Sequence, residues 1–273
     1  MQPPFSLAHL TALHLTPPEL ISLAADTGYQ YAGVRMLPAT PDGEAYALMH
    51  DRAMLRETIR RSRETGVGVF DLEILRLSPD FRAQDHLAFF EAGAELGARA
   101  MLVAGNDPDE QRQGDNLAAL CEAARPFGLT ADLEFMPWTL VPDLDSALRI
   151  LHLAGTPENA GILVDAIHFG RSDSRLEQLA QIPEQLLHYA QICDAPAGIP
   201  DTEEALIFDA RCRRLLPGEG GLDLPGIFGR LPRSLPISVE IPHHLRAPAL
   251  GDHEWARQAL LAAQAVCRQL PRT

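Results

Sequence analysis

Short apolar runs alternate along this chain with longer segments in which apolar residues recur at helical spacing. The runs predict eight strands, near Phe5–Leu10, Tyr31–Arg35, Val67–Leu72, Ala100–Ala104, Leu129–Phe135, Gly161–Asp165, Leu187–Ile192 and Pro236–Ile241. Between them, Arg52–Thr65 carries Leu55, Ile59 and Ser62 on one stripe with charge elsewhere, and His86–Leu96, Asn116–Phe127 and Trp255–Leu270 share that pattern. Pro17-Pro18-Glu19 opens another helix, because proline is tolerated in the first turn and an early acid suits the helix dipole. Gly66, Gly97 and Gly128 each stand just before a strand, where a left-handed helix C-cap is expected.

Strand and helix in repeated alternation imply parallel strands, since parallel pairing needs a crossover. Eight such units predict an α/β fold, one closed (β/α)8 TIM barrel spanning residues 1–273 as a single domain. The spacing breaks once, between Gln191 and Pro236, in a stretch rich in proline and glycine. We read it as an elongated loop over the barrel mouth rather than a second domain.

The polar residues that close four of the later runs carry the candidate chemistry. They are Glu134, Asp165, Gln191 and Glu240, at the ends of strands five, six, seven and eight. Strand parity places Thr130, Asp132 and Glu134 on one face against Ala131, Leu133 and Phe135, and Ser238 and Glu240 against Ile237, Val239 and Ile241. Such polar residues belong inside the barrel, at the strand ends where barrel active sites form. Neighbouring strands lie about 4.8 Å apart, so four consecutive ends can surround one ion. Three carboxylates and one amide oxygen suit Mn²⁺ or Mg²⁺, with Co²⁺ next, better than zinc. His168, three residues after Asp165, is a candidate imidazole beside the ion, and Trp138 a candidate apolar wall for a sugar-like ligand.

Composition narrows the class. With 46% hydrophobic residues in 273, a sizeable core is expected. The formal charge of −14 repels phosphate backbones and argues against nucleic acid as a partner. Cys121, Cys193, Cys212 and Cys267 form no CxxC pair and read as reduced thiols of a cytoplasmic protein. No signal peptide and no membrane span are expected. No glycine-rich phosphate cradle implies a nucleotide cofactor. Homo-oligomerisation stays open.

These runs resemble the xylose isomerase-like TIM-barrel superfamily, which includes sugar isomerases and epimerases, inosose dehydratases, 3-dehydroshikimate dehydratases and endonuclease IV. The resemblance covers nearly the whole chain, and its specific part runs from Leu133 to His243. It implies one divalent ion held by Glu134, Asp165, Gln191 and Glu240, with the D-x-x-H pattern matched by Asp165 and His168. Gln191 departs from the histidine of many epimerase-like members. The Asp194-Ala195-Pro196 run after it, and the arginine-rich Arg211–Gly220 loop with its Pro-Gly-x-Gly, look like the dehydratase branch. Strand three, ending Asp71-Leu72-Glu73, lacks the motif expected of that branch, and the early strands lack the extra histidines of endonuclease IV.

The resemblance implies an isomerase or epimerase acting on a small polyhydroxylated keto substrate, with Glu134 and Glu240 moving a proton on carbon through an enediolate. Arg214 and Arg211 would neutralise an anionic group on it. A dehydratase on the same scaffold, with His168 at the departing oxygen, is the alternative. A barrel that binds sugar or metal without turnover is a third.

Overall fold

The computed structural model describes residues 2–270. Eight strands close into one all-parallel barrel in chain order. They are β1 (Phe5–Leu7), β2 (Tyr31–Arg35), β3 (Gly68–Leu77), β4 (Ala100–Gly105), β5 (Thr130–Glu134), β6 (Ala160–Asp165), β7 (Ala190–Ile192) and β8 (Ile237–Val239). β1 pairs with both β2 and β8, which removes any free edge.

The alternation predicted for β5 and β8 sorts side chains as expected. Ala131, Leu133 and Phe135, with Ile237, Val239 and Ile241, join Leu20, Leu55, Phe89 and Leu117 in the apolar layer between barrel and helices. Inside the barrel lies a second, smaller cluster that includes Phe70, Leu102, Leu163 and Tyr189. The interior below the mouth is polar, with Ser6, Asp71, Asp132 and Ser238 all buried.

The helices begin and end where local chemistry dictates. Thr16 and Glu19 form a capping box before Pro17–Thr27, and Asp51 accepts two backbone N–H bonds at the start of Arg52–Thr65. Gly66, Gly97 and Gly128 all have positive φ, as their C-cap positions require.

Three sequence expectations need correction. β1, β7 and β8 are three residues each, shorter than their apolar runs; a 3-10 helix at His9–Ala12 follows β1 and another at Glu184–Leu186 precedes β7. β3 runs ten residues, past Leu72 to Leu77, with a register shift against β4 between Leu72 and Leu75. The segment between Gln191 and Pro236 is not a plain loop. It holds the helices Glu203–Cys212 and Leu224–Phe228.

Candidate metal centre and active-site cavity

The four strand-end residues converge at one mouth of the barrel and are all buried. Glu134 closes β5, Asp165 closes β6, Gln191 sits in β7, and Glu240 follows β8. Asp165 also caps the short helix Ala166–Gly170, accepting the Ile167 N–H at 2.8 Å. That helix carries His168 back over the site, 3.6 Å from Glu134 Oε1, with Trp138 edge-on to its ring. A cavity of about 190 Å³ opens above them, lined by Glu134, Glu240, His168 and Trp138 and by several arginines.

Arg214 enters the middle of this constellation. Its Nη1 donates to Asp165 Oδ2 at 2.6 Å and its Nη2 lies 2.8 Å from Glu240 Oε2. Its Nε donates to the Ala210 carbonyl at 2.6 Å, and the residue is 2% exposed. A buried guanidinium bridging two carboxylates is a counter-ion to them: Arg214 lines the cavity, but Asp165 and Glu240 already take up its charge.

The loop that carries Arg214 is pinned by Asp194. The Asp194 carboxylate accepts backbone N–H bonds from Ala195, Gly218, Gly220 and Leu222, at 2.8 to 3.1 Å. Here lies the physical link between the Asp194-Ala195-Pro196 run and the Pro217–Gly220 turn. One side chain satisfies the amides of a turn some 25 residues away, and a Cβ at Gly220 would collide with the Ala195 carbonyl. Backbone pairing of Asp194 with Leu215, and of Arg213 with His243, completes the anchoring.

Electrostatics follow from burial. Burial first, then Asp165 and Glu240, push the Glu134 carboxyl well above its ordinary value. Glu240 is pushed up to about 7 by burial, against the opposing pull of Arg214. Burial raises Asp165, but the Arg214 guanidinium and the Ile167 N–H bond outweigh it and hold the carboxyl below its usual value. Burial lowers His168 to about 4, so its imidazole is neutral near pH 7 and its contact with Glu134 is not an ion pair.

Two observations test whether an ion fits. Glu134, Asp165 and His168 offer ligand atoms that all lie within 4.8 Å of one another. Gln191 donates to Glu240 Oε1 at 3.3 Å, while its own Oε1 is buried without a partner. Oxygen donors with one imidazole suit a divalent ion, and an orphaned amide oxygen is the donor such an ion would engage. The residues fit, and an ion there would compete with Arg214 for Asp165 and Glu240. The structure thus groups His168 with two of the sequence-proposed ligands, and Glu240 with Arg214.

The strand ends on the opposite side were not singled out by sequence. Arg35 of β2 donates to Glu73 of β3 through Nε and Nη2, at 2.8 and 2.5 Å, both groups buried. His9 orients this pair, since its Nδ1 accepts the Arg35 N–H at 2.9 Å while Nε2 reaches the Leu15 carbonyl. Arg76, further along β3, lines the cavity with Arg211.

The profile of the xylose isomerase-like TIM barrel family matches residues 21–264. The chain belongs to that family. A 3-dehydroshikimate dehydratase of Pseudomonas aeruginosa is 28% identical over 161 residues, covering 56% of this chain but 25% of that protein. An inosose isomerase of Bacillus velezensis is 23% identical over 221 residues, covering 75% and 74%. Among solved structures, an IolI protein with a bound zinc superposes with a TM-score of 0.80 at 20% identity, covering 99% of this chain and 100% of that one. A probable 3-dehydroshikimate dehydratase, AsbF of Bacillus anthracis, gives 0.72 at 14% identity, covering 94% and 98%. The structural likenesses establish the fold, and the sequence relatives are enzymes. Within this chain, Glu134, Asp165 and His168 form a cluster whose ligand atoms could hold an ion. No described helix is long and apolar enough to cross a membrane.

Proposed function

We propose that this barrel is a divalent-metal-dependent isomerase or epimerase that moves a proton on the carbon beside the carbonyl of a small polyhydroxylated ketone. The observation that carries the reading is the pair Glu134 and Glu240, two buried carboxylates in the wall of one cavity, with Asp165, Gln191 and His168 beside them. Glu134, Asp165, Gln191 and Glu240 would hold the ion, Mn²⁺ or Mg²⁺ with Co²⁺ next, and His168 would stand beside it. Once bound, the ion supplies Lewis-acid polarisation of the carbonyl. All 23 basic residues are arginine, so no lysine is present to activate a carbonyl as a Schiff base.

The chain's own groups do the rest. One glutamate takes the proton from carbon, and the resulting enediolate receives a proton from the other at a different carbon or face. A positioned base contributes about 10²–10⁴-fold, so much of the acceleration rests on stabilising the charge that develops on substrate oxygen. Trp138 closes one side of the cavity, and the neutral His168 offers one N–H and one lone pair to a substrate hydroxyl.

Dehydration is the second reading, favoured by guanidiniums at the cavity that lack a carboxylate partner. Its first step is the same. The enolate then expels a β-hydroxyl, which takes up the proton held by the glutamate and leaves as water, with His168 hydrogen-bonded to the departing oxygen.

The test uses the full chain with Mn²⁺ in deuterated water, incubated separately with a ketohexose, an inosose and 3-dehydroshikimate. Deuterium should enter beside the carbonyl of at least one, and E134Q and E240Q should abolish it. No exchange with any of the three, with Mn²⁺ bound, overturns the reading. An ultraviolet-absorbing aromatic product from 3-dehydroshikimate selects dehydration.

A further inference from the structure

Four arginines line the cavity, and only two are bonded to a carboxylate of the protein. Arg35 is bonded to Glu73, and Arg214 to Asp165 and Glu240. Arg76 donates only to neutral oxygens, the Asn106 side chain at 2.9 Å and the Ala39 carbonyl at 2.6 Å. Arg211, at the end of the helix Glu203–Cys212, makes no hydrogen bond or ion pair with any described residue. Both side chains are half-buried.

The other arginines drawn out of solvent are paired, Arg61 with Glu57, Arg171 with Asp209 and Arg246 with Glu219. On the exposed surface, Arg52 pairs with Glu95, Arg60 with Glu57 and Glu64, and Arg257 with Glu254. The chain has 37 acidic residues against 23 basic ones, so acids are not scarce. Burial and then Arg211 hold Arg76 below its ordinary value, and burial and then Arg35 do the same to Arg211. Like charges withdrawn from water without a counter-ion are unfavourable until an anion joins them.

We infer that Arg76 and Arg211 form a clamp for one carboxylate of the substrate, at the same cavity as Glu134 and Glu240. The inference rests on reading this cavity as the substrate site. A guanidinium presents a planar fork of donors that matches a carboxylate, and two of them can donate to its two oxygens. Glu134 and Glu240 share the cavity and would repel the second charge of a phosphate dianion. The volume, roughly six waters' worth at ~30 Å³ each, suits a small cyclic hydroxy acid. A neutral ketose or inosose leaves both guanidiniums unpaired, so the clamp selects by charge among substrates that undergo the same first step.

Binding of three probes to the Mn²⁺-loaded full chain tests the clamp: shikimate as a cyclic hydroxycarboxylate, myo-inositol as a neutral ring, and inorganic phosphate. Shikimate should bind at least about tenfold tighter than myo-inositol, and R76Q and R211Q should each remove that preference without weakening myo-inositol. Arg211 has no partner whose loss would disturb folding, so R211Q reports even where R76Q fails to fold. Equal binding of the two rings, phosphate binding tighter than shikimate, or a shikimate preference that survives R211Q overturns the assignment. Failure of the proposed reaction is separable. A wild type with no charge preference but with deuterium exchange on a neutral ketose rejects the clamp alone, whereas a wild type with the preference but no exchange on any substrate rejects the reaction alone.

Discussion

Replacing Arg214 by methionine isolates the guanidinium that sits among the candidate ligands. The substitution keeps side-chain length and removes the one cation bonded to both Asp165 and Glu240, at 2.6 and 2.8 Å. Their side chains are 0% and 4% exposed, so neither carboxylate can recover its interaction with water. Breaking a buried ion pair from one side costs about 3–5 kcal/mol. At about 2–4 °C per kcal/mol for a domain near this size, the melting temperature should fall by roughly 6–20 °C in chelator-treated protein at pH 7.5. The loss should shrink as pH falls, because burial without the guanidinium favours the protonated form of both carboxylates, and the penalty disappears once they are protonated. Converting Asp165 to asparagine in the same chain should return part of the stability, a coupling that a double-mutant cycle measures directly. Mn²⁺ should stabilise R214M more than the wild type, since the ion no longer competes with the guanidinium, reaching about 2.7 kcal/mol at a hundredfold excess over its dissociation constant. A metal-free R214M within about 1 kcal/mol of wild type would refute the counter-ion role.

Four further outcomes follow from individual contacts. His9 is lowered to about 4 by burial, so its neutral form contributes stability fully above about 6.5 that is lost as pH falls toward 4, about 3 kcal/mol in all; the acid limb of the melting curve should flatten in H9Q. His188 behaves oppositely: its 2.6 Å bond to Asp132 overcomes burial and raises its pKa, so that contribution is full below about 6.5 and fades as pH rises, a trend absent from H188Q. D194A strands four backbone N–H groups and should cost at least about 3 kcal/mol, with new proteolytic cleavage near residues 217–222. E134Q should abolish any rise in melting temperature on adding Mn²⁺; an unchanged rise places the ion elsewhere.

The barrel was legible because its strands obey simple periods. β5 and β8 alternate cleanly, so the inward positions of Glu134 and Glu240 could be read directly from spacing. Arg76 was hidden by the register shift between Leu72 and Leu75, which breaks that alternation inside β3. The pairing of Arg35 with Glu73 joins residues 38 apart on neighbouring strands, and nothing local announces it. The helix Glu203–Cys212 did carry signals, with Thr202 accepting the Ala205 N–H at its start and Glu203 and Glu204 in its first turn. The surrounding prolines and glycines masked them. Arg214 was visible as a charged loop residue, but its insertion between Asp165 and Glu240 depends on the Asp194 anchor and on the closure of the barrel, which are tertiary facts.

Charge accounting within the cavity ties the metal reading to the clamp. With all groups ionised, Arg35, Arg76, Arg211 and Arg214 balance Glu73, Glu134, Asp165 and Glu240, so the protein's own contribution is neutral. A divalent ion makes the site doubly positive, which favours negative charge on a substrate oxygen but also resists filling by a neutral ligand that brings nothing to offset it. A substrate carboxylate held by Arg76 and Arg211 removes half of that excess and does so away from the acids that handle the proton. The remaining positive charge still favours the developing enolate oxygen. Proton transfer to Glu134 or Glu240 leaves the total unchanged, so this balance holds throughout the reaction. The arginine pair therefore does more than recognise a substrate: it allows an anionic molecule to enter a cavity walled by glutamates while leaving those glutamates free to act on carbon.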